Sequence, residues 1–278
     1  METPEIIPPV GPPQHVPGYA PAQKKREPSG WNPMSSPATY LLVAINIAVF
    51  LWMMKSGVSP TNPSSEDLMR FGANHPVSVL VSHEWWRLLT AMFVHVGLLH
   101  LATNMWCLWN LGLLGEPLIG PIGLTAVYVL TGAAGNLLSV AFYVIYAVRN
   151  HEPLFGAVGA GASGAVFGIA GLLIILLSNK RLPIPWPELK RLRRSVMQFA
   201  ILNLVIGLST AVPIIANHIG VRIDNMAHMG GFLCGLAIAV PLVPRMTSGR
   251  QRYLGRQKIV FLAAALILSL FGYWIANL

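Results

Sequence analysis

Charge is scarce in this chain. Only 10% of its 278 residues are Asp, Glu, Lys or Arg, while 54% are hydrophobic. Water-soluble globular domains carry about 25% charged residues, so this balance excludes an ordinary soluble domain and makes a membrane protein the first reading. Cysteine is nearly missing as well. Cys107 and Cys234 both fall inside apolar runs, so neither a disulfide framework nor a metal-binding spacing is suggested. There is no His-Glu-x-x-His and no carboxylate within the apolar runs, which weighs against a metalloprotease or haem protein. No metal and no cofactor are therefore expected. A cleavable signal peptide is not visible at the start.

What the chain has in quantity is long apolar segments. Seven runs approach the roughly 20 residues needed to cross a ~30 Å hydrocarbon core: 37–54, 92–114, 121–147, 156–178, 195–216, 225–243 and 259–278. None contains Lys, Arg, Asp or Glu. The expectation is an all-α polytopic transmembrane bundle of seven spans.

The net charge of +9 does not point to nucleic acid, because its placement follows the rule for orienting spans in a bilayer. With the N-terminus cytoplasmic, 14 of the 19 basic residues lie inside, including the cluster from Lys180 to Arg194 and the group Arg245, Arg250, Arg252, Arg256 and Lys258. Lys55, Arg70, Arg87, Arg149 and Arg222 fall outside. This asymmetry favours one topology over its inverse and puts Leu278 on the exterior face. Residues 1–36 are rich in Pro and small polar residues and read as a disordered cytoplasmic tail. A six-span core over 37–244 and a basic linker with a seventh span over 245–278 complete the plan. Compact loops and the absence of targeting features suggest a bacterial plasma membrane.

Polar side chains in a bilayer are expensive, about 2.5 to 3.5 kcal/mol for a charged one at mid-helix, so their positions are functional candidates. Here they are His95, His100, Asn104 and Asn110 in the second run, Asn136 in the third, Ser163 in the fourth, Gln198 and Asn203 in the fifth, and His228 in the sixth. Under the charge-derived topology the second, fourth and sixth runs all descend from the exterior. His95, Ser163 and His228 then sit near the same outer ends, with His100 and His228 roughly 5 to 12 Å deep at 1.5 Å per residue.

A serine and a histidine at one depth make a possible nucleophile and general base. Ser163 lies in Gly159-Ala160-Gly161-Ala162-Ser163-Gly164-Ala165-Val166-Phe167-Gly168, where small residues leave room for a substrate backbone. Gly164 and Gly168 on one run, and Gly231 and Gly235 on the face of His228, are small-residue pairs that allow close helix approach. His100 and Asn104, four residues apart, share a helical face and can donate to one oxygen, as an oxyanion hole requires.

These residues resemble the rhomboid family of intramembrane serine proteases. Gly161-Ala162-Ser163-Gly164 is similar to that family's Gly-x-Ser-Gly segment, and His95-x4-His100-x3-Asn104 to its His-x4-His-x3-Asn signature. Ala227-His228-x2-Gly231-x3-Gly235 resembles the catalytic-histidine helix, Glu116-x3-Gly120 an element at the inner end of the second span, and Trp86-Arg87 a motif of the first exterior loop. The resemblance implies a Ser163–His228 dyad, an oxyanion hole from His100, Asn104 and the Ser163 N–H, and a supporting role for His95. It also implies an aromatic ring, Phe167, beside the histidine, and a six-plus-one arrangement of spans. The implied partners are transmembrane segments of other proteins, within the lipid bilayer, and the fifth span is a lateral gate.

Blander readings compete with each element. Gly-x-Ser-Gly arises easily in a small-residue helix, His100 and Asn104 can bridge helices, and a loop-anchoring hydrogen bond would explain His95. Asp224, four residues before His228, more often caps its helix than joins a triad. Trp85 and Trp86 can be interfacial anchors. A transporter would need a polar path to both faces, and the inner halves are almost wholly apolar. A catalytically silent relative that only binds transmembrane helices is opposed by the intact Ser163 and His228.

Overall fold

The computed structural model describes residues 36–209, 224–243 and 248–278. Among them the chain is helical. The first helix, α1 (Pro37–Lys55), opens with proline at N1, a position whose missing N–H costs nothing. It has no side-chain cap of its own. Its free N–H groups instead reach Glu116, whose buried carboxylate accepts from Ala38 N at 2.9 Å, Thr39 N at 2.8 Å and Thr39 Oγ1 at 2.7 Å.

Three short helices build the loop that follows: α2 (Ser65–Arg70), α3 (Pro76–Leu80) and α4 (Arg87–Thr90), continuing into a 3-10 turn at Ala91–Phe93. Arg87 is buried and ties them together. Its Nη1 donates to the carbonyls of Met69 at 2.8 Å and Ala73 at 3.0 Å, its Nε to Glu84, and its guanidinium lies 4.6 Å from the Trp86 ring centre.

Next comes α5 (Leu98–Asn150), 53 residues long, which would extend about 80 Å if straight, far beyond a bilayer. It is two spans. Gly120 breaks it with φ +75, and Pro121 follows with no N–H to continue the ladder. The second half returns to where the first began, because Tyr128 Oη donates to Met92 O at 3.1 Å and Asn136 Nδ2 to Leu88 O at 2.9 Å.

At the centre stands α6 (Ser163–Leu176), 14 residues and about 21 Å, with every residue but Ser163 and Ile175 buried. A helix too short to span can sit in a membrane when protein surrounds it. It is walled by α5 and by α8 (Asn225–Leu242), with α7 (Trp186–Ser209) on another side. The last helix, α9 (Arg250–Ala276), packs on α5 and α8. It closes two ends. Gln257 Nε2 donates to Ile119 O at 2.9 Å, a carbonyl left open by the break at Gly120, and Arg256 Nε donates to Pro241 O at 3.1 Å.

Several expected spans shift. The second begins at Leu98 rather than 92, since Val94 is extended and Gly97 at the N-cap has φ +116. The fourth begins at Ser163 rather than 156, because Gly161 has φ +133 and cannot be helical. The fifth and seventh start earlier, at Trp186 and Arg250, in charged turns that continue an apolar helix without entering its core. The expected end of the fifth run and the loop 217–223 lie outside the described residues, as does the tail through residue 35.

Candidate active site

Ser163 is the first residue of α6, not an interior one. The first N–H groups of a helix have no intrahelical acceptor, and the dipole adds positive potential there, so this end suits a developing negative charge. The approach is held open by Gly161. Its φ of +133 disfavours any side chain, and a Cβ there would lie 2.6 Å from His100 Cε1 and 3.0 Å from Nε2. The His100 ring edge therefore lies against the backbone two residues before the serine.

Two histidines brace that backbone in different ways. His95 is not on a helix; it sits in the extended stretch before α5 and is fully buried. Its Nδ1 faces Phe93 O at 3.3 Å and must donate, leaving Nε2 to accept from Ala162 N at 3.4 Å. His100, in the first turn of α5, takes the opposite tautomer. Its Nδ1 accepts from Val96 N at 3.4 Å, so the Nε2 proton is the one turned to Gly161. The two rings are 5.4 Å apart. Asn104 spends one amide N–H on His100 O at 2.9 Å, which leaves its second.

His228 lies in the first turn of α8, and glycines bring that turn onto α6. A Cβ on Gly231 would fall 2.0 Å from Gly164 O, and one on Gly235 the same distance from Gly168 O. The helices touch backbone to backbone. One turn below Ser163 on the same face, the Phe167 ring stacks on the His228 ring, centres 4.4 Å apart at 17°. Phe199 of α7 covers Phe167 in turn, at 6.3 Å. His228 is thus fixed on the face of α6 that carries Ser163. Its buried Nδ1 has no hydrogen-bond partner among the described residues.

Asp224 is a helix cap. Its Oδ1 accepts from Ala227 N at 3.0 Å and its Oδ2 from Ser139 Oγ at 2.6 Å, so both oxygens are committed. The other intramembrane amides also have structural partners: Asn110 and Asn203 bond back to their own helices, at Trp106 O and Phe199 O, and Asn136 holds Leu88 O. Gln198 is exposed on α7. Of the loop tryptophans, Trp85 packs inside against Leu137 and Gly272, while Trp86 is 47% exposed beside Arg87.

One supporting element has no signature in the sequence. Asn74 and Gly159 exchange two backbone hydrogen bonds of 2.8 Å, pinning the loop between α1 and α5 to the segment that leads into Ser163. Asn74 Nδ2 also donates to Asn136 O at 3.1 Å. Outside the spans, His75 stands at the N-cap position of α3 without a side-chain cap bond, its Nδ1 lying 3.2 Å from Ser78 Oγ; burial, and then the charge of Arg87, lower its pKa below the usual histidine value.

A family model described as the Rhomboid domain matches residues 82–245, more than half of the chain and the stretch that holds Ser163, His228 and both bracing histidines. Among similar proteins, the rhomboid protease GluP of Bacillus subtilis is 31% identical over 247 residues, 88% of this chain and 43% of GluP. The rhomboid protease AarA of Providencia stuartii is 32% identical over 213 residues, covering 74% of this chain and 73% of AarA. The mitochondrial RHOMBOID-like protein 6 of Arabidopsis thaliana is 31% identical over 195 residues, 69% of this chain and 54% of that protein. The chain spans less than half the length of GluP and about three quarters of AarA.

Proposed function

The chain belongs to the rhomboid family, and on that premise we propose that it is an intramembrane serine endopeptidase working through a Ser163–His228 dyad. The observation that carries this reading is the α6–α8 contact, which sets the first turns of both helices side by side and stacks Phe167 on the imidazole. A dyad rather than a triad is favoured, because Asp224 is committed elsewhere and His228 Nδ1 faces no carboxylate among the described residues.

In the proposed reaction His228 takes the proton of Ser163 Oγ as the oxygen attacks the scissile carbonyl carbon. The carbonyl oxygen becomes negative and is stabilised by the N–H groups opening α6, His100 Nε2–H and the free N–H of Asn104. His228 then gives the proton to the departing amine, leaving an acyl-serine. Water, deprotonated by the same imidazole, attacks the ester; Ser163 regains its proton and the acid product leaves. His95 acts on the loop through Ala162 and touches no reacting atom.

The substrate is another protein's transmembrane segment. A helix in lipid satisfies its own backbone, so its scissile carbonyl becomes available only where the segment unwinds. Cleavage should therefore favour Gly, Pro or polar residues near the cut. The charge asymmetry supports a cytoplasmic N-terminus, with Ser163 near the exterior face of a bacterial plasma membrane and water entering past the loop 55–91. α7, which carries Phe199 onto Phe167, is the side from which a substrate helix enters.

Purified protein in detergent with a transmembrane model substrate tests this. Ser163→Ala and His228→Ala should each lower cleavage by about 10⁴-fold or more. Full cleavage by either variant would overturn the dyad. A reporter fused after Leu278 should register outside, and a cytoplasmic signal would reverse the orientation.

A further inference from the structure

The last helix, α9, leaves a feature that proteolysis does not use. Between α8 and α9 runs an open apolar groove of about 530 Å³, lined on one side by Leu233, Cys234 and Pro241 and on the other by Ile259, Ala263 and Ile267. At one end it meets a second recess of about 430 Å³, formed by Arg252, Gly255, Arg256 and Ile259. Arg256 and Ile259 line both, so the two form one continuous channel along the protein surface. Its walls are exposed to the bilayer: Leu233 is 53% and Ile267 64% exposed.

We infer that this channel holds one anionic phospholipid, its phosphate on Arg252 and Arg256 and an acyl chain along Ile259, Ala263 and Ile267. The inference rests on the chain lying in a membrane and not on its proteolytic reading. Arg252, Arg256, Ile259, Ala263 and Ile267 are spaced by four, three, four and four residues, so they form one stripe on α9. The apolar part, Ile259 to Ile267, rises about 12 Å, close to the half-thickness of a ~30 Å hydrocarbon core. One chain of one leaflet fits that depth.

The charged end is built for an anion. Arg252 and Arg256 are a like-charged pair four residues apart, which is unfavourable unless something negative lies between them. Neither forms an ion pair among the described residues, and the first turn of α9 holds no acidic residue. Arg256 is fixed by its Nε bond to Pro241 O at 3.1 Å, which leaves the two terminal nitrogens free for the paired hydrogen bonds that guanidinium makes to phosphate. Gly255 stands between them. A Cβ there would meet nothing within 4 Å, so packing does not demand the glycine, yet glycine inside a helix is costly. Its missing side chain keeps the headgroup recess open. Basic pockets between spans are where anionic headgroups bind in membrane proteins generally.

Native mass spectrometry of the purified full chain in a neutral detergent tests the proposal, with phosphatidylglycerol, phosphatidylcholine of the same acyl chains, and glycerol 3-phosphate as probes. The expected result is retention of one phosphatidylglycerol at a concentration at least tenfold below that needed for phosphatidylcholine, and no retained glycerol 3-phosphate. Arg252→Gln, which removes no hydrogen bond or ion pair among the described residues, should weaken phosphatidylglycerol retention about fivefold or more. Ala263→Phe should displace the acyl chain and lower retention of both lipids. Lys258→Gln removes the same charge outside the channel and should change nothing. Equal retention of the two phospholipids, equal retention of glycerol 3-phosphate, or equal losses from Arg252→Gln and Lys258→Gln would each overturn the site. The last outcome would mean diffuse attraction instead of binding.

Discussion

Helix α8 meets its two neighbours in opposite ways. Toward α6 it presents Gly231 and Gly235, and the backbones touch with no room for a single added carbon. Toward α9 it presents Leu233, Cys234 and Pro241, and the helices stand far enough apart to leave a groove of about 530 Å³. In lipid there is little hydrophobic drive to bring spans together, so close contact depends on shape and on polar links. The tight seam fixes the relative position of Ser163 and His228, which the proposed dyad requires. The open seam is tied at one end by the Arg256 guanidinium on Pro241 O, beside the Gln257 amide that links α9 to α5, and the rest of it is proposed to hold lipid. Precision is confined to the proposed site of cleavage.

Breaking the tight seam should have the largest effect. In Gly231→Val the new Cβ would fall 2.0 Å from Gly164 O and 2.7 Å from Gly164 C, both backbone atoms that cannot rotate away. The helices must separate by about an ångström. A displacement of that size in reacting groups costs about 100-fold, so cleavage should fall at least that far, and thermal unfolding in detergent should show a lower midpoint. A Gly231→Val protein that cleaves at the parental rate would show that the seam does not set the site.

The next effect concerns the far end of the bundle. Glu116→Ala removes the acceptor for Ala38 N, Thr39 N and Thr39 Oγ1 and strands those donors in a buried place. Each unsatisfied buried group costs about 1 to 3 kcal/mol, so a loss on the order of 3 kcal/mol is expected, with Glu116→Gln milder. Equilibrium unfolding in mixed micelles would measure it. A smaller change is expected where α9 meets α5, since Gln257→Leu leaves Ile119 O unpaired and should cost about 1 kcal/mol. Cleavage should stay within about twofold. A collapse of activity in Gln257→Leu would mean that the α5–α9 link is coupled to the tight seam.

Much of this contrast was legible in the sequence because each tight position needs a particular residue type. Gly231 and Gly235, Gly161 before Ser163, and the His95, His100 and His228 set all stand at fixed spacings on apolar runs. Span existence was equally plain, since charge-free segments of that length have few other uses. Where the helices begin was harder. Hydropathy continues through Val94 and through 156–162, whereas Gly97 and Gly161 adopt positive φ and stop the helix, an effect of backbone geometry that apolar content does not register. The bridge of Asn74 to Gly159 joins residues 85 apart through main-chain atoms, which leave no side-chain signature. The partner of Gln257 depends on where α5 breaks, so that link could be read only once the fold was known.

The smallest predicted effect lies in the loop between α1 and α5, apart from both seams. His75 is partly buried beside Arg87, and burial first, then that charge, lower its folded-state pKa below the ordinary value of 6.5. The neutral form is therefore favoured in the folded loop, and the unfolded chain takes up the proton more readily. Stability from this group is complete above about pH 6.5 and is lost as pH falls through the lowered folded value. The ring is partly exposed, so solvent screening keeps the lowering of the thermal midpoint between pH 7 and pH 5 small. His75→Gln should remove that part of the acid slope while leaving the midpoint at pH 8 almost unchanged. The loop reaches the segment before Ser163 through the Asn74–Gly159 and Ala91–Gly161 main-chain hydrogen bonds, neither of which involves the His75 side chain, so cleavage at pH 8 should also be retained. A steeper acid loss in His75→Gln than in the parent would show that the imidazole gains, rather than loses, stability on protonation, and that Arg87 is not the charge that governs it.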